Sequence, residues 1–320
     1  MSEFHVEVVR IGPVTKHLNA DTLSITNIHG GYPVILRTGE YVEGDLAVYV
    51  PVDSVVPEGD PRWSFLGEHT RIRAKRLRGV FSMGLLTKAD PSWVLGQDVH
   101  EELRIVKWEA PVIEEGSADE ADPGTLPVYT DIEGLRRYRD VLVEGEEVVL
   151  TEKIHGENFR AMHDGDRLWV GSRTRIKKPD PKGSNWWKAA HSADLENVLR
   201  AFPGVVLYGE ACGYTGGFPY GQAGRAPGLR AFDAMDSRSR RYFDYDDFCA
   251  LAAGLHLAVA PPLYRGPWSW DLVKHADGKS TVDPSHVREG FVVRPVKERV
   301  DERLGRVILK MHGEAFLTLK

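Results

Sequence analysis

The sequence predicts an α+β protein in two parts, a small β-barrel followed by a unit of antiparallel sheets with flanking helices. Three observations lead there. The first hundred residues are short apolar segments separated by glycine-rich corners. The middle of the chain then turns abruptly acidic, and beyond it strand-like alternation is mixed with helical periodicity. At 320 residues, 42% apolar and 28% charged, the chain is long enough for two ordinary domains.

In the first part FHVEVVRIG, TLSITNI, YPVILRTG, LAVYVPVD and GVFSMGLL read as strands, with HGG, GEYVEGD and PEGDP as turns. Residues 57–68 read as irregular. Many short strands with such corners predict a barrel of the oligonucleotide-binding (OB) type over residues 1–105. EAPVIEEGSADEADPGTLP has little that could be buried, so residues 106–125 are expected to be an acidic linker. Residues 126–320 form the second unit. There EEVVLTEK and NFRAMHDGDRLWVGS predict a hairpin pair around HDGD. SADLENVLRAF places Leu195, Val198, Leu199 and Phe202 on one helical face, with Ser192 as N-cap. DYDDFCALAAG predicts a second helix, with Asp244 as cap and Gly254 as stop. VVLYGE, LRAFDAM, GFVVRP and RVILKM complete the strands, while GYTGGFPYGQAGRAPG is a glycine-rich loop that matches no phosphate-loop pattern.

Composition excludes several classes. No apolar run approaches the roughly 20 residues that span a bilayer, and MSEFHVEVVR has no leader character, so a cytoplasmic protein without membrane contact is expected. Cys212 and Cys249 stand far apart in no metal-ligand spacing, which argues against disulfides and cysteine-bound zinc. The net charge is −6, yet the charges are segregated. RIRAKRLRG carries five basic residues (Arg71, Arg73, Lys75, Arg76, Arg78) and no acid, and SRTRIKKPDPKGSNWWK is basic with Trp186 and Trp187 interleaved. Two such runs point toward a polyanion, although a single run is usually a solvated face.

The chemistry-bearing residues sit at strand ends. Lys153 closes VVLTEK, Glu210 closes VVLYGE, Glu289 precedes GFVVRP, and Lys310 follows RVIL, which sets two cations and two carboxylates near one rim of a sheet-built cavity. A lysine amine is nucleophilic only when unprotonated, so its pKa near ~10.4 must be lowered by desolvation or a nearby cation; Lys310 or a bound metal is expected to supply that push. Glu210 and Glu289 suit a hard divalent ion that is also bound through substrate phosphates. Arg173 and Arg294 offer planar forks for phosphate or ribose.

These residues fall within segments that resemble a family. Lys153-Ile-His155-Gly156-Glu157-Asn158 is similar to the KxHGxN motif of ATP-dependent RNA ligases, covalent nucleotidyltransferases. Ser172-Arg173-Thr174, Tyr208-Gly209-Glu210, Ala231-Phe232-Asp233, Glu289-Gly290-Phe291-Val292-Val293 and Leu309-Lys310 then follow in family order, so the resemblance covers about residues 126–316. It implies a nucleotidyltransferase (adenylylation) domain in which Lys153 takes AMP from ATP and Phe232 stacks on adenine. Glu210 and Arg173 would hold ribose, Glu210 and Glu289 the metal (Mg²⁺ or Mn²⁺), Lys310 the α-phosphate, and Arg294 a phosphate. His312 stands where the family commonly has a second lysine. His155 and Asn158 replace the aspartate and arginine usual in DNA ligases and capping enzymes, which favours RNA. A barrel placed ahead of the catalytic unit resembles the Deinococcus-type RNA ligases, and HLNADTLSI and LRGVFSMGLL resemble segments of tRNA-binding barrels.

The expectation is therefore an RNA repair enzyme that joins 3′-hydroxyl and 5′-phosphate ends, at nicks in a duplex, through a lysyl-AMP and an adenylylated RNA. The barrel and its basic residues would clamp the nucleic acid. Two alternatives stand beside it: a non-catalytic RNA-binding or tRNA-binding protein that keeps the shell, and a DNA ligase or guanylyltransferase.

Overall fold

The computed structural model describes residues 4–109, 119–120, 124–180, 183–214, 217–222 and 226–319. It divides into two units, Met1–Val112 with Leu317–Lys320, and Ile113–Phe316. Most of the expected acidic linker lies outside the described residues. Within it, Asp119–Glu120 is a strand paired with Ile176–Lys177, and Asp119 accepts ion pairs from Arg175 and Lys177 at 2.9 and 2.8 Å.

In the first unit the alternation of more and less buried residues along Leu23–Ile28 and Tyr32–Arg37, with the near-continuous burial of Leu46–Val50, builds short antiparallel sheets around two apolar clusters. One cluster is centred on Val8, Val48 and Trp63, the other on Ile11, Val34 and Tyr49. The segment expected to be irregular contains a 3-10 helix, Pro61–Leu66, capped by the Asp60 side chain. Strands Lys75–Leu77 and Val80–Ser82 are joined by Arg78-Gly79, both with positive φ (46° and 86°), as a two-residue hairpin turn requires.

The second unit is built on two sheets. A seven-stranded antiparallel sheet carries Gly156–His163 at its middle, flanked by Leu168–Gly171 and Val205–Cys212, with Gly228–Asp236 next. A five-stranded sheet carries Glu147–Lys153 between Pro262–Pro267 and Gly290–Pro295, followed by Leu309–His312. The expected pairing of EEVVLTEK with NFRAMH does not form. NFRAMH pairs with LWVG as read, but EEVVLTEK belongs to the other sheet, and the chain crosses between sheets in the two residues Ile154-His155. Period-2 alternation explains the choice. Val148 and Leu150 pack with Trp268, Phe291 and Leu309 on one face of their sheet, while Val149 points to the other and joins the cluster that includes Ala231, Tyr245 and Val296. Lys153, in phase with Val149, thus ends on the inner face.

Two helices cover the outer face of the larger sheet. Asn185–Ser192 buries Trp187, and Leu195–Arg200 buries Leu195 and Leu199. Ser192 is therefore not an N-cap: it ends the first helix, and its hydroxyl donates to the Ala189 and Pro227 carbonyls. Helix Tyr245–Gly254 starts where Asp244 places it, but the Asp244 carboxylate serves the Glu298 N–H and Lys297 instead of the helix.

Candidate active site

The inner ends of four strands converge on Glu289. Lys153 Nζ lies 2.6 Å from Glu289 Oε1, His155 Nδ1 lies 3.3 Å from Oε2, and His312 Nε2 lies 3.4 Å from Oε1. Backbone pairing sets this geometry, because Lys153 is in register with Gly290, and Gly290 with His312. A side chain at residue 290 would collide with the Met311 carbonyl, so only glycine lets the strands close here. Lys310, two residues from His312, is in register with Val292 and Gly134.

Glu210 approaches from the other sheet. Its strand pairs with Gly156–His163, and the Gly156 N–H donates to its carboxylate. A Cβ at residue 156 would meet the Ala211 carbonyl and Glu210 Cγ, so glycine at this position brings the carboxylate up to the lysine. Burial, partly offset by Lys153 and reinforced by Glu289, pushes Glu210 up to about 8. Glu289 is driven well below the carboxylate range despite its burial, by Lys153 and by hydrogen bonds from His155 and His312. Burial pushes His312 down, toward the neutral imidazole.

Lys153 reverses the expectation. Burial pulls its pKa down, but the Glu289 and Glu210 carboxylates outweigh burial and hold it above the ordinary lysine value. The amine is therefore an ammonium held in an ion pair with Glu289.

Phe232 lies at the bulge between Tyr208/Gly209 and their partners, partly buried, with its ring 5.1 Å from that of Tyr129. Asn158 Oδ1 is buried with no hydrogen-bond partner among the described residues. Arg173, in the turn after Leu168–Gly171, pairs with Asp131. Trp187 is buried and donates to the Lys177 carbonyl, and Trp186 donates to the Asn158 carbonyl, so both indoles are used within the fold.

Arg294 departs most from its expected phosphate contact. It is 4% exposed, and its Nη1 lies 2.9 Å from Asp233 Oδ1 and 3.1 Å from Glu298 Oε1. Arg306 Nη2 takes the other Asp233 oxygen at 2.7 Å, and Tyr129 donates to the same oxygen at 2.7 Å. The physical reason is position. Arg294 lies four residues past Gly290, deep between the sheets, where a buried guanidinium requires a carboxylate. Asp131 had no signal in the sequence, and Asp233, although inside the Ala231-Phe232-Asp233 segment, had none as a partner of Arg294, since each meets its arginine only through the fold.

In the barrel, Arg71 is likewise engaged internally. It pairs with Asp53 at 2.6 Å and stacks over Trp108 at 3.3 Å. Arg73, Lys75, Arg76 and Arg78 are exposed on the hairpin and its approach.

As to what binds here, the donors are oxygen-rich, yet no group of three or more His, Cys, Asp or Glu residues is placed to hold an ion among the described residues. A divalent ion held by Glu210 and Glu289 alone would have to take its remaining ligands from water or phosphate oxygens.

Comparison with known proteins agrees with this arrangement. The family model described as RNA ligase matches residues 146–312, and an OB-fold domain model matches residues 5–89. The Protein Early 65 kDa of Autographa californica nuclear polyhedrosis virus is 22% identical over 184 residues, 52% of this chain but 32% of that relative. Among solved structures, a Naegleria gruberi RNA ligase mutant with ATP and Mn is 22% identical with a TM-score of 0.84, covering 98% of both chains. The Naegleria gruberi RNA ligase with PPi is 22% identical with a TM-score of 0.82 over the same shares. At that identity the likeness shows a shared α+β fold with an N-terminal OB domain. Because the matched family model spans Lys153, Glu210, Glu289 and Lys310 and just over half of the sequence, the chain belongs to the RNA ligase family.

Proposed function

We propose that this protein joins RNA ends in an ATP-dependent, divalent-metal-dependent reaction that begins on Lys153. The observation that carries this reading is the part-buried Lys153–Glu289 contact of 2.6 Å, with the Glu210 carboxyl close enough to act on the same amine. ATP and Mn were found with the structurally similar ligases, and an ammonium paired with a carboxylate is a nucleophile kept in reserve.

Nζ attacks the α-phosphorus of ATP, a P–N bond forms, and pyrophosphate leaves. Glu289 Oε1, 2.6 Å from Nζ, orients the amine; its own pKa is held low, so the Nζ proton leaves to water or with the pyrophosphate. A divalent ion held by Glu210 and Glu289 would weaken the hold of the ionised Glu289 on the protonated amine and screen charge on the phosphates. AMP then passes to a 5′-phosphate of RNA, and the 3′-hydroxyl displaces AMP to close the phosphodiester. These are in-line displacements in which positioning carries most of the catalysis.

In this reading Phe232 stacks on adenine, the unpartnered Asn158 Oδ1 meets the nucleotide, and Arg173 leaves Asp131 for the ribose. Lys310 takes the α-phosphate, and His312 a phosphate as a neutral donor. Residues 126–320 serve adenylylation. Residues 1–105, with Arg73, Lys75, Arg76 and Arg78, grip RNA at a nicked duplex. A cytoplasmic setting belongs to the same reading; among the described residues no helix is long and apolar enough to cross a membrane.

Incubation with α-labelled ATP and Mg²⁺ or Mn²⁺ is expected to leave acid-labile label on the wild-type chain and none on Lys153→Ala. Label retained by that variant, or absent from the wild type, would end the proposal.

A further inference from the structure

The described residues 217–222 lie in a glycine-rich stretch of sequence that belongs to none of the family motifs, and they reach His155, two residues from Lys153. Phe218 and Tyr220 are 7% and 3% exposed. Tyr220 holds a left-handed backbone (φ 44°), which a bulky residue seldom adopts unless its surroundings enforce it. Its hydroxyl accepts the His155 N–H at 2.9 Å. Its ring meets that of His286 edge-on at 4.7 Å, and Phe218 packs against His155 at 4.4 Å and His286 at 4.9 Å. The next residue, Gly221, donates its N–H to Asp283 Oδ2 at 3.0 Å. Ile154 shares an apolar cluster with Phe218, Tyr220, Cys212 and Ala260.

One segment thus touches two limbs of the chain. Ile154-His155 is the crossing between sheets that begins at Lys153, and residues 283–286 lead into Glu289. From this juxtaposition we infer that Phe218 and Tyr220 are positioning residues. They clamp the 154–155 crossing against the 283–289 limb, so that Lys153 and His155 meet the two oxygens of one Glu289 carboxylate. Packing alone would not need a hydroxyl at residue 220. The hydroxyl satisfies one backbone N–H in a short, half-buried crossing, and without it that donor is left unpaired. The inference rests on Lys153 being the nucleophile.

The test compares the full-length wild type, Tyr220→Phe, Phe218→Leu and Phe218→Tyr in rapid-quench measurements of lysyl-AMP formation against ATP concentration. Side-chain ¹H–¹⁵N spectra of the histidines are recorded in parallel. Tyr220→Phe and Phe218→Leu are expected to lower the maximal rate about tenfold, as loss of an outer support does, with ATP KM within about twofold of wild type. Phe218→Tyr, which keeps the ring, should stay near the wild-type rate. The His155 imidazole signals should shift or broaden in Tyr220→Phe, while those of His163, buried elsewhere with its Nδ1 on the Gly165 N–H, stay in place. An unchanged rate, an effect confined to KM, or equal broadening of His155 and His163 overturns the inference. A wild type that forms no lysyl-AMP refutes the ligase reading instead, and the His155 spectra still decide whether the clamp exists.

Discussion

Glu210 shows how environment, not residue type, sets the chemistry of a side chain. Buried between Glu289 and Glu157 with only partial relief from Lys153, it titrates near 8 and is largely protonated at neutral pH. A divalent ion bound to that carboxylate must displace the proton. At pH 7 the binding of Mn²⁺ should therefore release close to one proton, seen as a dependence of calorimetric heat on buffer ionisation, and by pH 9.5 the release should fade. Glu210→Gln should abolish it. The sign for stability is also fixed. A carboxyl whose pKa is 4.5 when unfolded and about 8 when folded favours the fold less as pH rises between those values, so the stability of Glu210→Gln relative to wild type should increase across that range. Lys153 and Glu289 stood out in the sequence because each borders an apolar strand. Their ion pair was not, because 136 residues separate them.

At the level of elements, the strands were the most readable part. Period-2 burial fixed the inner face, and a Cβ at Gly156 or Gly290 would meet a carbonyl of the neighbouring strand. Gly156→Ala is expected to cost about 1–3 kcal/mol, as overpacking a closed site does, measured as a lowered denaturant midpoint, and to reduce lysyl-AMP formation by moving the Glu210 strand away. An unchanged midpoint would mean the strand pair yields freely. Helix starts were less readable. Ser192 has the chemistry of a cap but ends a helix, because the preceding tryptophan pair already finds an apolar face, with Trp187 buried against the sheet. Local cap propensity gave way to burial.

Across the whole catalytic unit, Asp233 joins the sheets by holding Arg294 from one and Arg306 beyond it. Burial raises the Asp233 pKa, but the two guanidiniums outweigh it and hold the carboxyl below its ordinary value. This contribution to stability is present above about pH 4, the usual aspartate value, and is lost as pH falls through the depressed one. Asp233→Asn should therefore destabilise the protein by about 3–5 kcal/mol at neutral pH, since two buried cations lose their partner. The gap from wild type should narrow in acid, as read from urea unfolding at several pH values. A constant gap would remove the network from the account. The sequence by itself determined the two-part α+β plan and the ligase-type motifs, and it singled out the lysine and carboxylates proposed as the site, because alternation, turn residues and motif order are local properties. Only the tertiary structure decided that EEVVLTEK leaves its expected hairpin for the other sheet, that Arg294 and Arg71 serve the fold, and that the resting Lys153 is an ammonium. Each of these depends on which distant charge or apolar surface comes within a few ångströms, and local sequence carries no record of such encounters.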